Sequence, residues 1–70
     1  MAITTGTLKV IEKLENSYYG NPRYLVTIGG ETFRTMPNSS LGYSITNYDG
    51  KEVVANTRMY RGKRHVENIV

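Results

Sequence analysis

Two consecutive glycines, Gly29 and Gly30, separate two short runs in which apolar and polar residues alternate. In Arg23–Ile28, Tyr24, Val26 and Ile28 share one side and Arg23, Leu25 and Thr27 the other. In Glu31–Thr35, Phe33 opposes Thr32 and Arg34. A period of two is that of a strand with one buried face, and paired glycines supply the positive-φ positions of a tight hairpin. The middle of the chain is thereby committed to antiparallel sheet. With 70 residues and no cysteine, it must complete that sheet as one small domain, residues 1–70, with no disulfide framework and no thiolate metal site. Such a chain buries only roughly 60% of its unfolded surface. Stability then has to come from a well-closed sheet or from a partner, which leaves a homodimer open.

The flanking segments extend the pattern. Thr7–Glu15 reads as a first strand, with Leu8, Val10 and Leu14 alternating against Lys9 and Lys13; Ile11 and Glu12 interrupt the alternation and predict a bulge. Asn16–Pro22 is a loop by its Asn, Ser, Gly and Pro content. Met36-Pro37-Asn38-Ser39-Ser40 stops the sheet. Asn38, Ser39 or Ser40 can cap a short helix in which Leu41 and Ile45 share a face. Gly42 weakens that helix, so two turns at most, of 3₁₀ type if tight, are expected before the turn Asn47-Tyr48-Asp49-Gly50. Glu52–Tyr60 is a fourth strand, Arg61-Gly62-Lys63 a turn, and Arg64–Val70 a fifth strand. Five strands with one short helix between the third and fourth predict a mainly all-β fold, a small closed barrel of OB-like or SH3-like type, since closure removes exposed edges. The helix position and the long first strand favour the OB-like arrangement.

Charge is unevenly placed. The chain carries nine Lys and Arg against six Asp and Glu. Residues 1–50 balance to zero, and the whole net charge of +3 lies in residues 51–70. It clusters around Arg58-Met59-Tyr60-Arg61-Gly62-Lys63-Arg64-His65. Cations with an embedded ring suit a polyanion: Lys and Arg neutralise phosphates, and an aromatic ring stacks a base. Arg58, Tyr60, Arg61, Lys63 and Arg64 are the main candidates. Arg23 and Arg34, on the outward sides of their strands, and the loop pair Tyr18 and Tyr19 would extend the surface. The competing interpretation is a solvated hairpin tip whose arginines guard an edge strand, with one loop tyrosine plugging the barrel end.

Gly50-Lys51-Glu52-Val53-Val54, followed by Tyr60-Arg61-Gly62-Lys63 and a terminal apolar strand, resembles the last hairpin of many OB nucleic-acid-binding domains. That resemblance implies that the loop between strands four and five clamps the nucleic acid. Gly20-Asn21-Pro22-Arg23-Tyr24, taken with Phe33-Arg34-Thr35-Met36-Pro37, resembles short phage-encoded β-rich proteins of unassigned function. This second resemblance brings no mechanism with it; taken with the tyrosines, it implies docking on a host protein.

Other residues read as structural. Tyr24 and Phe33 belong to the core face, Tyr43 and Tyr48 flank the helix segment so that either one could cover the open barrel end, and His65 is expected to be a solvated strand residue. Glu12 and Glu15 beside Lys9 and Lys13 read as surface charge pairing. No nucleophile, base and orienting group fall together, no phosphate-cradling glycine loop is present, and a lone histidine builds no zinc site. No enzyme, metal or cofactor is therefore expected. The leading expectation is a nucleic-acid-binding protein with a preference for single strands and little sequence specificity. The rivals are a small phage-type protein that docks on a host protein, for which the six tyrosines speak, and a structural subunit of an assembly. The opening Met1-Ala2-Ile3-Thr4-Thr5-Gly6 lacks the pattern of a signal peptide, and no apolar run approaches the ~20 residues of a membrane helix. A cytoplasmic location follows as the expectation, the host cytoplasm if the protein is phage-encoded.

Overall fold

The computed structural model describes residues 2–70 and shows a closed barrel of five strands: β1 (Ala2–Leu14), β2 (Arg23–Ile28), β3 (Glu31–Thr35), β4 (Glu52–Tyr60) and β5 (Lys63–Ile69). Around the barrel they run β1-β2-β3-β5-β4, and β4 closes back on β1. All neighbours are antiparallel except β3 and β5, which lie parallel over Arg34↔His65 and Thr35↔Val66. The all-β class and five-stranded closure expected from the sequence are what the chain adopts, in a form compatible with OB-like and SH3-like barrels.

The alternation of β2 and β3 does what it should. Val26, Ile28 and Phe33 are buried, and Tyr24 packs partly against them. Gly29 and Gly30 take φ of 60° and 87°, the left-handed pair of a two-residue turn whose twist matches that of the strands it joins. β1 starts well before the expected Thr7, because its first half, Ala2–Thr7, pairs with Thr57–Glu52 of β4 while Leu8–Leu14 pairs with β2. One long strand thus serves two neighbours, and a register shift between Val10 and Glu12 marks the bulge at Ile11. The backbone N–H of Val10 donates to Asp49 Oδ1 at 2.9 Å, which ties the bend to the far loop.

Between β3 and β4 the chain makes two single 3₁₀ turns, Ser40–Tyr43 and Ile45–Tyr48. Ser39 caps the first, its hydroxyl accepting from the Leu41 N–H at 3.1 Å. These turns seal one end of the barrel with Ile45, which is fully buried among Leu8, Val26, Ile28, Phe33, Val53, Ala55 and Val66; Leu41 and Tyr48 pack beside it. Tyr43 remains exposed, so of the two tyrosines flanking this segment only Tyr48 covers the end. Gly42 permits the seal: a Cβ there would fall 1.8 Å from the Pro22 carbonyl oxygen. No helix among the described residues is long and apolar enough to cross a membrane.

Candidate nucleic-acid interface

The β1–β2 loop is a compact turn. Ser17 and Asn21 are joined by a backbone hydrogen bond of 2.8 Å, and the Ser17 hydroxyl accepts from the N–H groups of Tyr19 and Asn21, both at 3.2 Å. Asn21 Nδ2 also donates to the Pro37 carbonyl at 3.0 Å, which anchors the loop to the chain beyond β3. Tyr18 and Tyr19 ride on this base at 98% and 67% exposure, edge to face with ring centres 5.8 Å apart. Neither ring plugs the barrel. Two large aromatic surfaces are held in water by an ordered loop.

The β4–β5 hairpin stands at the other side of the same face. Its turn is two residues, Arg61 and Gly62, at φ of 51° and 78°, and β5 begins at Lys63 rather than Arg64. Tyr60 leads into the turn, with the Arg61 guanidinium 5.5 Å from its ring centre. Between loop and hairpin lies a groove of about 750 Å³. Its walls and floor include Tyr18, Tyr19, Arg23, Arg34, Tyr60, Arg61 and Lys63, together with Glu15 and His65. Seven of the nine residues singled out from sequence are therefore neighbours on one surface. Four of them are cations, facing a single carboxylate.

Arg58 and Arg64 lie elsewhere. Arg64 donates to Glu31 Oε2 at 2.6 Å, and the Arg58 guanidinium lies 3.9 Å from Glu67. Register explains the place of Arg64, while Arg58, paired with His65, is turned to Glu67 along β5. Arg64 pairs with Met59 and Lys63 with Tyr60, so Arg64 and Lys63 occupy opposite faces of the hairpin. Arg64 borders instead a second depression of about 830 Å³ where β3 and the hairpin diverge. Arg34 and Lys63 border both depressions and join them into one track across the β3–β5 seam.

His65 is the residue whose role sequence reasoning missed. It is only 4% exposed, although it follows Lys63 and Arg64 in a charged run. Its Nδ1 lies 2.9 Å from the Lys63 carbonyl and must donate to it; its Nε2 lies 3.3 Å from Arg23 Nη2 and must accept, since a guanidinium has no lone pair to offer. The ring is thus neutral with its proton on Nδ1. Burial holds its pKa below the ordinary value; the Lys63 carbonyl opposes that shift, and Arg23 and Arg34 reinforce it. Tyr60 covers the ring edge-on, with centroids 5.3 Å apart. Arg23 is fixed from a second side, where its Nε donates to the Thr35 carbonyl at 3.2 Å. Burial, then the nearby Arg34 charge, depress its pKa, with Tyr60 acting the other way. The only sequence signal for this cluster was that Arg23 and Arg34 alternate outward on adjacent strands.

Among the described residues no group of His, Asp and Glu has the arrangement of a metal site. Comparison with protein-family models, curated proteins and solved structures finds no match, so the groove's own chemistry carries the functional argument.

Proposed function

We propose that the protein binds single-stranded nucleic acid along this groove, with little sequence preference, on an OB-type barrel. The carrying observation is the convergence of Arg23, Arg34, Arg61 and Lys63 with the rings of Tyr18, Tyr19 and Tyr60 around one concavity that holds a single carboxylate, Glu15. Cations that track a backbone and rings that accept any base face are the two ingredients of sequence-tolerant single-strand binding. The OB assignment is supported by the parallel β3–β5 pair, by a β1 that serves both β2 and β4, and by a groove set between the β1–β2 loop and the β4–β5 hairpin.

Fluorescence anisotropy with a labelled single-stranded oligonucleotide at ~50 and ~200 mM salt tests the proposal. Single strands release about 0.7 counterion per neutralised phosphate. Engagement of four cations therefore predicts an affinity loss of about 50-fold across that fourfold salt step. Absence of binding at the lower salt, or indifference to salt, overturns it.

The exposure of Tyr18 and Tyr19 also fits a protein partner such as a host protein, because tyrosine is enriched among the residues that anchor interfaces. Capture from nuclease-treated lysate separates the two: a single retained protein speaks for docking, and loss of every partner speaks for nucleic acid.

A further inference from the structure

We propose that Arg23 and Arg34, positioned by His65, form a seat for one phosphoryl group on the floor of the groove, which fixes where a bound strand lies along it. The inference rests on the nucleic-acid reading and adds a defined contact to it.

Arg23 is held from two sides. Two of its five N–H donors are already committed, one to the Thr35 carbonyl and one to His65 Nε2. Both partners are neutral and belong to the sheet, so the guanidinium plane is fixed without its charge being matched. No Asp or Glu oxygen comes within 4.0 Å of Arg23 or Arg34 among the described residues. The contrast with Arg58 and Arg64 is direct, because each of those has a carboxylate partner. Arg34 sits beside Arg23 by topology: it pairs with Leu25 in β2 and with His65 in β5. Both guanidinium groups line one groove; Arg23 is depressed in pKa by burial first and by the Arg34 charge second, so the pair presents positive charge that no carboxylate matches. A tetrahedral oxyanion answers that charge, since it accepts from planar forks in bidentate fashion and neutralises them together. Tyr60 lies next to the seat through its contact with His65, so a base adjacent to the seated phosphate has a ring to stack on. The remaining cations, Arg61 and Lys63, lie at the hairpin tip, where no side-chain hydrogen bond comparable to those of Arg23 holds them.

His65 is a positioning residue here. Its neutral Nε2 acts as an acceptor that aims Arg23, and its burial under Tyr60 keeps it in that form.

The first test titrates inorganic phosphate alone into labelled protein and follows the arginine side-chain N–H signals by NMR. Saturable shifts at Arg23 and Arg34, with little movement at Arg58 and Arg61, are expected. Shifts spread evenly over the arginines, or concentrated at Arg61, overturn the seat. The second test uses charge-preserving variants with a short oligothymidylate, with and without a 5′-phosphate. Arg23→Lys and Arg34→Lys should each weaken binding by about tenfold, because lysine keeps the charge and loses the fork, while Arg61→Lys should change it less than about twofold. A gain on 5′-phosphorylation that the two lysine variants abolish assigns the seat to a terminal monoester. Loss in those variants without such a gain assigns it to an internal diester. Equal effects of all three lysine variants overturn it. His65→Phe should mimic Arg23→Lys, and His65→Gln, whose amide oxygen can accept from Arg23, should restore binding; equal binding by both removes the positioning role. If the wild-type protein binds no oligonucleotide yet phosphate saturates at Arg23 and Arg34, the seat stands and the strand reading falls. If oligonucleotide binds with the expected salt dependence while phosphate shifts scatter, the seat falls and the strand reading stands.

Discussion

Arg61 occupies the left-handed region at φ 51°, where a Cβ costs about 1 kcal/mol or somewhat more. The tip of the β4–β5 hairpin would be more comfortable with Asn, the usual first residue of such a turn. Keeping Arg there retains a cation beside Tyr60 at the rim of the groove, the kind of local strain that gathers at functional positions. Replacement by Asn relieves the strain and also removes a cation–π contact worth about 0.5–1 kcal/mol at an exposed site. Arg61→Asn should therefore change the urea-denaturation free energy by less than about 0.5 kcal/mol while weakening oligonucleotide binding and its salt dependence. A loss of stability with unchanged binding would mark the tip as structural. His65 offers a second residue-scale prediction. Its folded pKa lies below the unfolded value near 6.5, so the unfolded chain takes up the proton first as pH falls. Stability contributed by the neutral ring is fully present above about pH 6.5 and declines below it, until the folded-state pKa is passed. Thermal melts between pH 7.5 and 5 should show a fall in Tm that His65→Gln flattens; a parallel fall in both proteins would trace the pH dependence to other groups. The surroundings that set this behaviour were not legible in the sequence. A histidine after Lys63 and Arg64 looks solvated, and it is Arg23, 42 residues away, together with Tyr60 across the hairpin, that covers it.

At the scale of elements, local chemistry was readable nearly to the residue. β2, β3 and β4 occupy the ranges that alternation and turn residues mark out, the Ile11 bulge lies where the alternation breaks, and Ser39 is one of three capping candidates and the one used. β1 escaped that reading at its start, because Ala2–Gly6 contains little apolar alternation; pairing with β4 makes it a strand. Glycine effects separate into two kinds at this scale. Gly30 faces open space at φ 87°, so Gly30→Ala carries only a conformational cost of about 1 kcal/mol. Gly42 has no room, since an added Cβ meets Pro22 backbone. Gly42→Ala must push the first 3₁₀ turn away from the loop that carries Tyr18 and Tyr19, at a cost of about 1–3 kcal/mol or more. Chemical denaturation should rank Gly42→Ala as the more damaging change. The reverse order would mean that the two segments separate without strain.

For the molecule as a whole, closure depends on pairs far apart in the chain: Ala2 with Thr57, Thr7 with Glu52, and Arg34 with His65. Barrels dominated by such pairings fold slowly, in roughly milliseconds to seconds. Stopped-flow refolding should fall in that range, and completion within microseconds would contradict the closed topology. The sequence by itself determined the strands apart from the first half of β1, their inward faces, the hairpin turns and the concentration of charge after residue 50, because backbone preferences and a two-residue period are local properties. It also nominated the cations. The tertiary structure alone decided which of them stay unmatched. Register across the closed barrel gave Arg64 to Glu31 and Arg58 to Glu67, and brought Arg23, Arg34 and His65 together from three strands. Alternation tells which side of its own strand a residue takes. Which neighbour it meets there is set by strand order and stagger, and those are settled only when the whole sheet closes.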